Sequence, residues 1–161
     1  MTPGSKIFHC GILVFDLEAA IDRLTATHGL TFTEPASVHI DRLCDPTEHA
    51  QDLRCAFSRE GPFYLELIEA VGDGIYSARH GEGVHHIGMW DDDVASNQAK
   101  LVEEHGLEID AQVLTEDGRP FTWYAKPQNG VGFRCEFVNT RLRPEIEMWI
   151  ASGRRGSAFS V

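Results

Sequence analysis

The sequence predicts an α+β fold assembled from two copies of one unit, each a strand, a helix and roughly three further strands. Two observations carry this prediction: an internal repeat with a fixed offset, and hydrophobic periodicity that follows the same order in both copies. At 161 residues, the chain has the length of one ordinary domain or of two half-size units that share a core.

The repeat is visible when the segment His9 to Leu30 is aligned with His86 to Leu107, an offset of 77 residues. Seven of the 22 aligned positions are identical, where average residue usage gives about one or two. The identical pairs are His9/His86, Gly11/Gly88, Asp16/Asp93, Leu24/Leu101, His28/His105, Gly29/Gly106 and Leu30/Leu107. This agreement indicates that the two segments fold alike.

Each copy begins with a predicted strand followed by an amphipathic helix. Asp16 and Asp93 precede the helices and are predicted N-caps, because a carboxylate there accepts a bond from an unpaired backbone N–H. Gly29 and Gly106 are predicted to end the helices in the left-handed conformation. The predicted elements are strand Ile7–Phe15 with helix Leu17–His28, and strand Val84–Trp90 with helix Val94–His105.

The second part of each copy is predicted to be β-rich. The strand candidates are Leu53–Phe57 and Phe63–Ala70 in the first copy, then Ala111–Leu114, Thr122–Lys126 and Gly132–Asn139 in the second. Here Phe63/Phe133 and Glu66/Glu136 match at an offset of 70, which implies about seven extra residues in the first copy. We place them in Glu34–Asp52, which contains two prolines and many polar residues and is therefore predicted to be a loop.

The domain organisation follows from these boundaries. We expect a first module over residues 1–71, a linker over 72–83, a second module over 84–140, and a C-terminal helix and tail over 141–161. Pro144 suits the start of a helix over Glu145–Ser152. Its apolar face, formed by Ile146, Trp149 and Ile150, must pack on the body of the protein or on a partner chain.

Composition excludes several classes of function. The net charge of −11, from 14 basic and 25 acidic residues, is not that of a nucleic-acid-binding protein. No apolar run approaches the ~18 residues of a membrane span. The first residues lack the layout of a secretory signal, so we expect a cytoplasmic protein. The four cysteines are widely spaced, which disfavours a disulfide framework and a thiolate zinc site.

Four polar residues recur at matching places inside apolar strands: His9, Glu66, His86 and Glu136. A carboxylate in such surroundings is costly unless it is paired or bound to a metal. A single His or Glu in a strand is usually a solvent-facing residue, but recurrence across a repeat favours one shared explanation. If the copies pack about a pseudo-twofold axis, these residues would hold one divalent ion and leave positions for water or substrate oxygens.

The sequence resembles the vicinal oxygen chelate superfamily over about residues 7–140. This superfamily includes glyoxalases, methylmalonyl-CoA epimerases, extradiol dioxygenases, fosfomycin-resistance enzymes and bleomycin-binding proteins. The stretches that carry the resemblance are Phe8 to Ala20 (FHCGILVFDLEAA), Gly81 to Gly88 (GEGVHHIG) and the strands that contain Glu66 and Glu136. These motifs are most similar to those of the epimerase and glyoxalase-like branch.

The resemblance implies that paired βαβββ modules form a cup-shaped mixed sheet around the metal, with ligands from the first and fourth strands of each module. Carried over by position, the ligands are His9, Glu66, His86 and Glu136. Of the double histidine, His86 is chosen because it precedes Gly88 as His9 precedes Gly11, and His85 is expected to point to the opposite face. Glu66 is a departure from the epimerases, which often have Gln there, and makes the set more like that of the glyoxalases.

The expected function is that of a metal-dependent isomerase, epimerase or lyase of a small oxygen-chelating substrate, acting through a metal-stabilised enolate. Glu136 and Glu66 are the first candidates for the base, and Glu48 is a further one. The alternatives are an Fe(II)-dependent ring-cleaving dioxygenase and a non-catalytic, resistance-type binding protein. The metal (nickel, cobalt, manganese, zinc or iron) and the use of a CoA thioester stay open. The resemblance also implies a homodimer, and the composition indicates no nucleic-acid or membrane partner.

Overall fold

A computed structural model describes residues 6–127 and 132–156. The strands are β1 (Ile7–Val14), β2 (Ala36–Cys44), β3 (Glu48–Phe57), β4 (Tyr64–Glu69), β5 (Gly83–Asp91), β6 (Ile109–Leu114), β7 (Pro120–Ala125) and β8 (Arg134–Asn139). The helices are α1 (Leu17–His28), α2 (Val94–His105) and α3 (Arg143–Ser152). Each half of the chain therefore has the order strand, helix and three strands, which confirms the predicted fold class.

The eight strands form one closed barrel in the order β1-β4-β3-β2-β6-β7-β8-β5. Within each half, the first strand pairs in parallel with the last, β1 with β4 and β5 with β8. The halves join at one seam through the antiparallel pair β1 and β5, and at the other through a short pairing of β2 with β6. The cup-shaped mixed sheet implied by the resemblance is thus a barrel closed on itself.

The loop predicted over Glu34–Asp52 is wrong, because most of it forms β2 and the start of β3. Strands β2 and β3 have nine and ten residues, against six each for β6 and β7, so the extra residues of the first half lengthen a hairpin. The polar residues misled the prediction because they alternate with apolar ones. Val38 and Ile40 face the interior of the barrel, and His39 between them is exposed.

Both long helices have the predicted bounds, and their ends show why. The Asp16 carboxylate accepts a hydrogen bond from the Ala19 N–H at 2.8 Å, and Asp93 accepts one from the Ser96 N–H. Gly29 ends α1 with a φ of 66°, and Gly106 ends α2 with a φ of 67°. The predicted N-caps and glycine stops are therefore confirmed.

Helix α3 packs against the barrel of its own chain. Trp149 and Ile150 are buried and belong to the same apolar cluster as residues of both halves, and Ile146 packs against that cluster. The ring of Trp149 meets Phe57 edge to face at 5.1 Å. Of the two surfaces expected for this helical face, the structure uses the body of the protein. None of the described helices is long and apolar enough to cross a membrane.

Candidate metal centre

The seam between β1 and β5 brings the predicted residues together. In the antiparallel register, His9 lies opposite Gly88, and Gly11 lies opposite His86. In the parallel registers, Gly11 is level with Glu66 on β4, and Gly88 is level with Glu136 on β8. Side chains at paired positions point to the same face of a sheet. Each histidine therefore stands beside the glutamate of the other half, across a glycine.

All four side chains converge on one point inside the barrel. The Nε2 atoms of His9 and His86 lie 2.8 Å apart. One oxygen of Glu136 lies 3.0 Å from His9 Nε2 and 3.1 Å from His86 Nε2. One oxygen of Glu66 lies 3.3 Å and 3.5 Å from the same two nitrogens. Both histidines and Glu136 are buried, and Glu66 is slightly more exposed.

The two glycines provide the space for this convergence. A Cβ atom on Gly88 would lie 1.9 Å from His9 Cε1, and a Cβ atom on Gly11 would lie 2.1 Å from His86 Cε1. Neither position tolerates a side chain while the imidazoles stay where they are. This explains why both the histidine and the glycine are the same in the two copies of the repeat. Each half supplies one histidine ligand and one glycine that leaves space for the histidine of the other half.

The donor set fits a divalent cation. His9, His86 and Glu136 form a potential metal-binding group whose donor atoms all lie within 4.8 Å of one another. Two ligand atoms each about 2.1 Å from one ion lie roughly 3.0 Å apart at a right angle and about 3.4 Å apart at a tetrahedral angle. The separations above run from 2.8 to 3.5 Å, including those to Glu66, and so lie close to these values. Two imidazoles and two carboxylates suit several first-row metals.

The expectation that His85 points away from the site is wrong. His85 is buried, and its Nδ1 lies 2.9 Å from Nδ1 of His86. Its Nε2 lies 2.9 Å from the carbonyl oxygen of Ile75, which can only accept, so Nε2 must carry the proton. A neutral His85 therefore accepts at Nδ1 the proton of His86 Nδ1. In its neutral form His86 thus carries its proton on Nδ1, which leaves the Nε2 lone pair toward the other ligands.

A second contact orients Glu136. The Tyr124 hydroxyl donates to the Glu136 oxygen Oε1 at 2.6 Å, and the Tyr76 hydroxyl lies 2.6 Å from that of Tyr124. The other oxygen of Glu136 is the one near the histidines. Tyr76 also stacks on His85, with ring centroids 5.2 Å apart. Tyr76 and the Ile75 carbonyl were missed because the sequence marks these residues only as part of a linker.

In the cluster, burial and the neighbouring charges shift the pKa values of His9, His86 and Glu136 in opposite directions. Burial lowers the pKa of His86, but the carboxylates of Glu136 and Glu66 outweigh it and raise that pKa to about 9. The same balance raises the pKa of His9. Burial and the charge of His86 lower the pKa of His85 to about 3, so it stays neutral. Burial favours a protonated Glu136, yet the two histidines hold its pKa well below the usual range.

The cluster borders a cavity of about 130 Å³ inside the barrel. His9, Glu66 and Glu136 line it, and most of the remaining wall is apolar. Glu48, the further candidate base, is not among the lining residues. It lies at the start of β3 and forms a two-pronged ion pair with Arg42, at 2.7 and 2.9 Å. The structure therefore brings Glu66 and Glu136 together, but not Glu48.

The family comparison agrees with this architecture. The family model for the Glyoxalase/Bleomycin resistance protein/Dioxygenase superfamily matches residues 8–123. The chain belongs to this superfamily, which confirms the resemblance to the vicinal oxygen chelate proteins. Members typically bind divalent metals. No curated protein sequence gave a significant match.

Several solved structures are similar to the barrel. A variant of Streptomyces coelicolor methylmalonyl-CoA epimerase in complex with 2-nitronate-propionyl-CoA is 25% identical with a TM-score of 0.59, covering 84% of this chain and 94% of that one. A hypothetical protein from Bacillus halodurans C-125 is 22% identical with a TM-score of 0.60, covering 85% and 95%. Mycobacterium tuberculosis methylmalonyl-CoA epimerase is 15% identical with a TM-score of 0.59, covering 86% and 92%. The last two likenesses concern the fold alone.

We expect Gly88→Ala to displace the His9 ring, because the new methyl group would occupy its position. Overpacking of this kind costs about 1–3 kcal/mol of unfolding free energy. Denaturant unfolding and Co²⁺ titration should show lower stability and lost metal affinity together. Gly156→Ala is the matched control, because nothing lies within 4 Å of the added atom. Unchanged Co²⁺ affinity in Gly88→Ala would contradict the conclusion that Gly88 provides the space for the His9 ring.

Loss of the His85 contact should weaken metal binding without abolishing it. Removal of such a supporting partner typically lowers metal affinity about 10–100-fold, so we expect that loss for His85→Ala and a larger one for His86→Ala. His85→Gln, whose amide can accept from His86 and donate to the Ile75 carbonyl, should retain more affinity. Chelator competition with Co²⁺ measures this, with His105→Ala on the surface as control. Equal affinity in His85→Ala and the wild type would contradict the role of His85.

Metal affinity should rise with pH. Since the pKa of His86 is raised to about 9, this residue carries a proton at pH 7 that a cation must displace. Apparent Co²⁺ affinity should therefore increase from pH 7 to about pH 9 and level off above it. Chelator competition at several pH values measures the trend, and titration calorimetry in buffers of different ionisation enthalpy measures the released protons. A constant affinity over this range would contradict the assignment.

Proposed function

We propose that this protein is a divalent-metal-dependent isomerase, epimerase or lyase that acts through a metal-stabilised enolate on a small oxygen-chelating substrate. The observation that carries the proposal is the convergence of two imidazoles and two carboxylates beside an apolar cavity. His9, Glu66, His86 and Glu136 would hold the ion. When bound there, a divalent cation polarises the substrate carbonyl and stabilises the enolate left by loss of the neighbouring proton.

The two carboxylates would have different roles. Tyr124, whose hydroxyl also contacts that of Tyr76, donates a hydrogen bond to Glu136 Oε1. This bond holds the Glu136 oxygen that is turned away from the histidines and so fixes the orientation of the carboxylate. Glu66 has the Cys55 thiol as a neighbour, and a thiol is a weak donor. Glu66 is therefore freer to turn toward the substrate. We assign to it the transfer of the proton from carbon, and to Glu136 the role of a fixed ligand.

The similarity to methylmalonyl-CoA epimerases supports chemistry of this kind. Epimerisation needs a base close to an acidic C–H bond and a means to stabilise the resulting negative charge. Both requirements can be met in one cluster, because Glu66 lines the cavity beside His9 and Glu136. Isomerase, epimerase or lyase activity is part of this proposal, and so are a cytoplasmic location and a homodimer. Glu48 is the alternative base.

Proton exchange at carbon tests the proposal. Metal-loaded protein is incubated in deuterium oxide with 2-hydroxy, 2-oxo and 3-oxo acids, and loss of the α-proton signal is followed by NMR. The wild type should exchange the α-proton of at least one of them. Glu66→Gln should slow that exchange about 100-fold or more while it retains the metal through the other ligands. Glu103→Gln, on the exposed side of α2, is the control.

The outcomes separate the alternatives. Fast exchange in Glu66→Gln with slow exchange in Glu48→Gln would transfer the base role to Glu48. Oxygen consumption with a catechol by the Fe(II)-loaded protein would identify a dioxygenase instead. Metal and ligand binding without exchange of any α-proton would contradict enolate chemistry and favour a binding protein.

A further inference from the structure

The barrel cavity is lined in a way that restricts the substrate. Beyond the metal ligands, its wall consists mainly of apolar side chains from both halves, among them Ile40, Leu53, Val113 and Val138. Helix α3 contributes Ile146 and Trp149 to the same wall. A ligand that chelates the ion would therefore place the rest of its body against hydrocarbon, where a charged or strongly polar group would lose its hydration without replacement.

The charges that line the cavity beyond the metal ligands compensate each other. Arg155 lines the cavity and forms an ion pair with Glu145 at 3.3 Å, and both side chains are largely buried. The guanidinium also donates to the carbonyl oxygen of Ser37 at 2.7 Å and lies over the Trp149 ring. An anionic group on the substrate would have to compete with Glu145 for this cation. The substrate's charge is therefore expected at the metal end only.

The described wall of the cavity offers little to the phosphate groups of a CoA thioester, because Arg155 is its one arginine or lysine. Such groups are bound by clusters of free arginines and lysines, whereas the formal charge of this chain is −11. Many of the described arginines already bind carboxylates. These pairs are Arg42–Glu48, Arg54–Glu69, Arg134–Asp110, Arg143–Glu147 and Arg154–Glu34.

The volume of the barrel cavity limits the size of the substrate's apolar part. A dry cavity of roughly 150 Å³ lined by apolar side chains holds one benzene molecule. The cavity here has about 130 Å³, including the space beside the metal ligands, so it suits an acid whose apolar group has at most about six carbon atoms. Helix α3 forms part of the wall around this group, and its Trp149 and Ile150 are buried against the barrel.

We infer that the substrate is a compact hydroxy or oxo acid with an apolar side chain of about benzene size, and not a CoA thioester. The inference rests on the proposed function, because it assumes that the acid end of the substrate binds at the metal centre. Ile146 is then a specificity-determining residue, since it lines the cavity from α3.

Ligand binding to the Co²⁺-loaded protein, read from the visible spectrum of the ion and by calorimetry, tests the inference without turnover. Mandelate and 2-hydroxy-4-methylpentanoate should bind at least ~10-fold more tightly than lactate, because each buried methylene adds affinity. Methylmalonyl-CoA should bind more weakly than either. Ile146→Phe, which fills the cavity, should weaken mandelate binding about 10-fold or more and leave lactate binding unchanged.

Met148→Phe is the matched control, because Met148 lies on the same helix with 66% of its surface exposed. It should bind mandelate and lactate as the wild type does, and thermal unfolding checks that both variants fold. Tighter binding of methylmalonyl-CoA than of mandelate would overturn the inference, as would equal affinity for lactate and mandelate. Ligand binding as expected without α-proton exchange would instead overturn the proposed function and leave the ligand class intact.

Discussion

The antiparallel pairing of β1 with β5 is the constraint on which the rest of the site depends. Its register sets His9 against Gly88 and His86 against Gly11. Each imidazole lies where the neighbouring strand has no side chain, so two rings fit side by side in a seam that would otherwise be too narrow. The parallel partners β4 and β8 then add one carboxylate each. A shift of either strand by one residue would turn its histidine to the outside of the barrel.

The site is symmetric in its ligands but not in their support. The described hydrogen bonds of the segment between the two halves support the ligands of the second half, through the Ile75 carbonyl to His85 and through Tyr76 to Tyr124. This segment is held in turn by Asp45, whose buried carboxylate accepts a bond from the Ile75 N–H at 2.8 Å. His86 and Glu136 are thus fixed from behind, whereas His9 Nδ1 has no partner among the described residues. The asymmetry explains how two equivalent glutamates could have different roles.

Much of the fold could be predicted because the repeat made each half a check on the other. Helix caps such as Asp16 and stops such as Gly29 depend on local chemistry, so the sequence was enough. The hairpin of β2 and β3 was missed because polar residues on the outer face of a strand resemble those of a loop. Closure of the barrel depends on the contact of β2 with β6, which involves only Leu43 and Cys44 of β2 and has no sequence signal.

The candidate ligands were visible in the sequence because they interrupt apolar strands at matched positions. The role of His85 was not visible, because alternation along a strand predicts that His85 and His86 point to opposite faces. It does not predict the contact between the two Nδ1 atoms. The pairing of Glu48 with Arg42 likewise depends on side-chain positions across a turn. Register and turn geometry, more than residue type, decide these contacts.

A crystal structure of the protein grown with Co²⁺, with anomalous scattering collected at the cobalt edge, tests the central claim most directly. The account predicts a single strong peak between β1 and β5, within bonding distance of His9 Nε2, His86 Nε2 and one oxygen each of Glu66 and Glu136. A peak elsewhere, or an ion bound by the residues of one half alone, would contradict it.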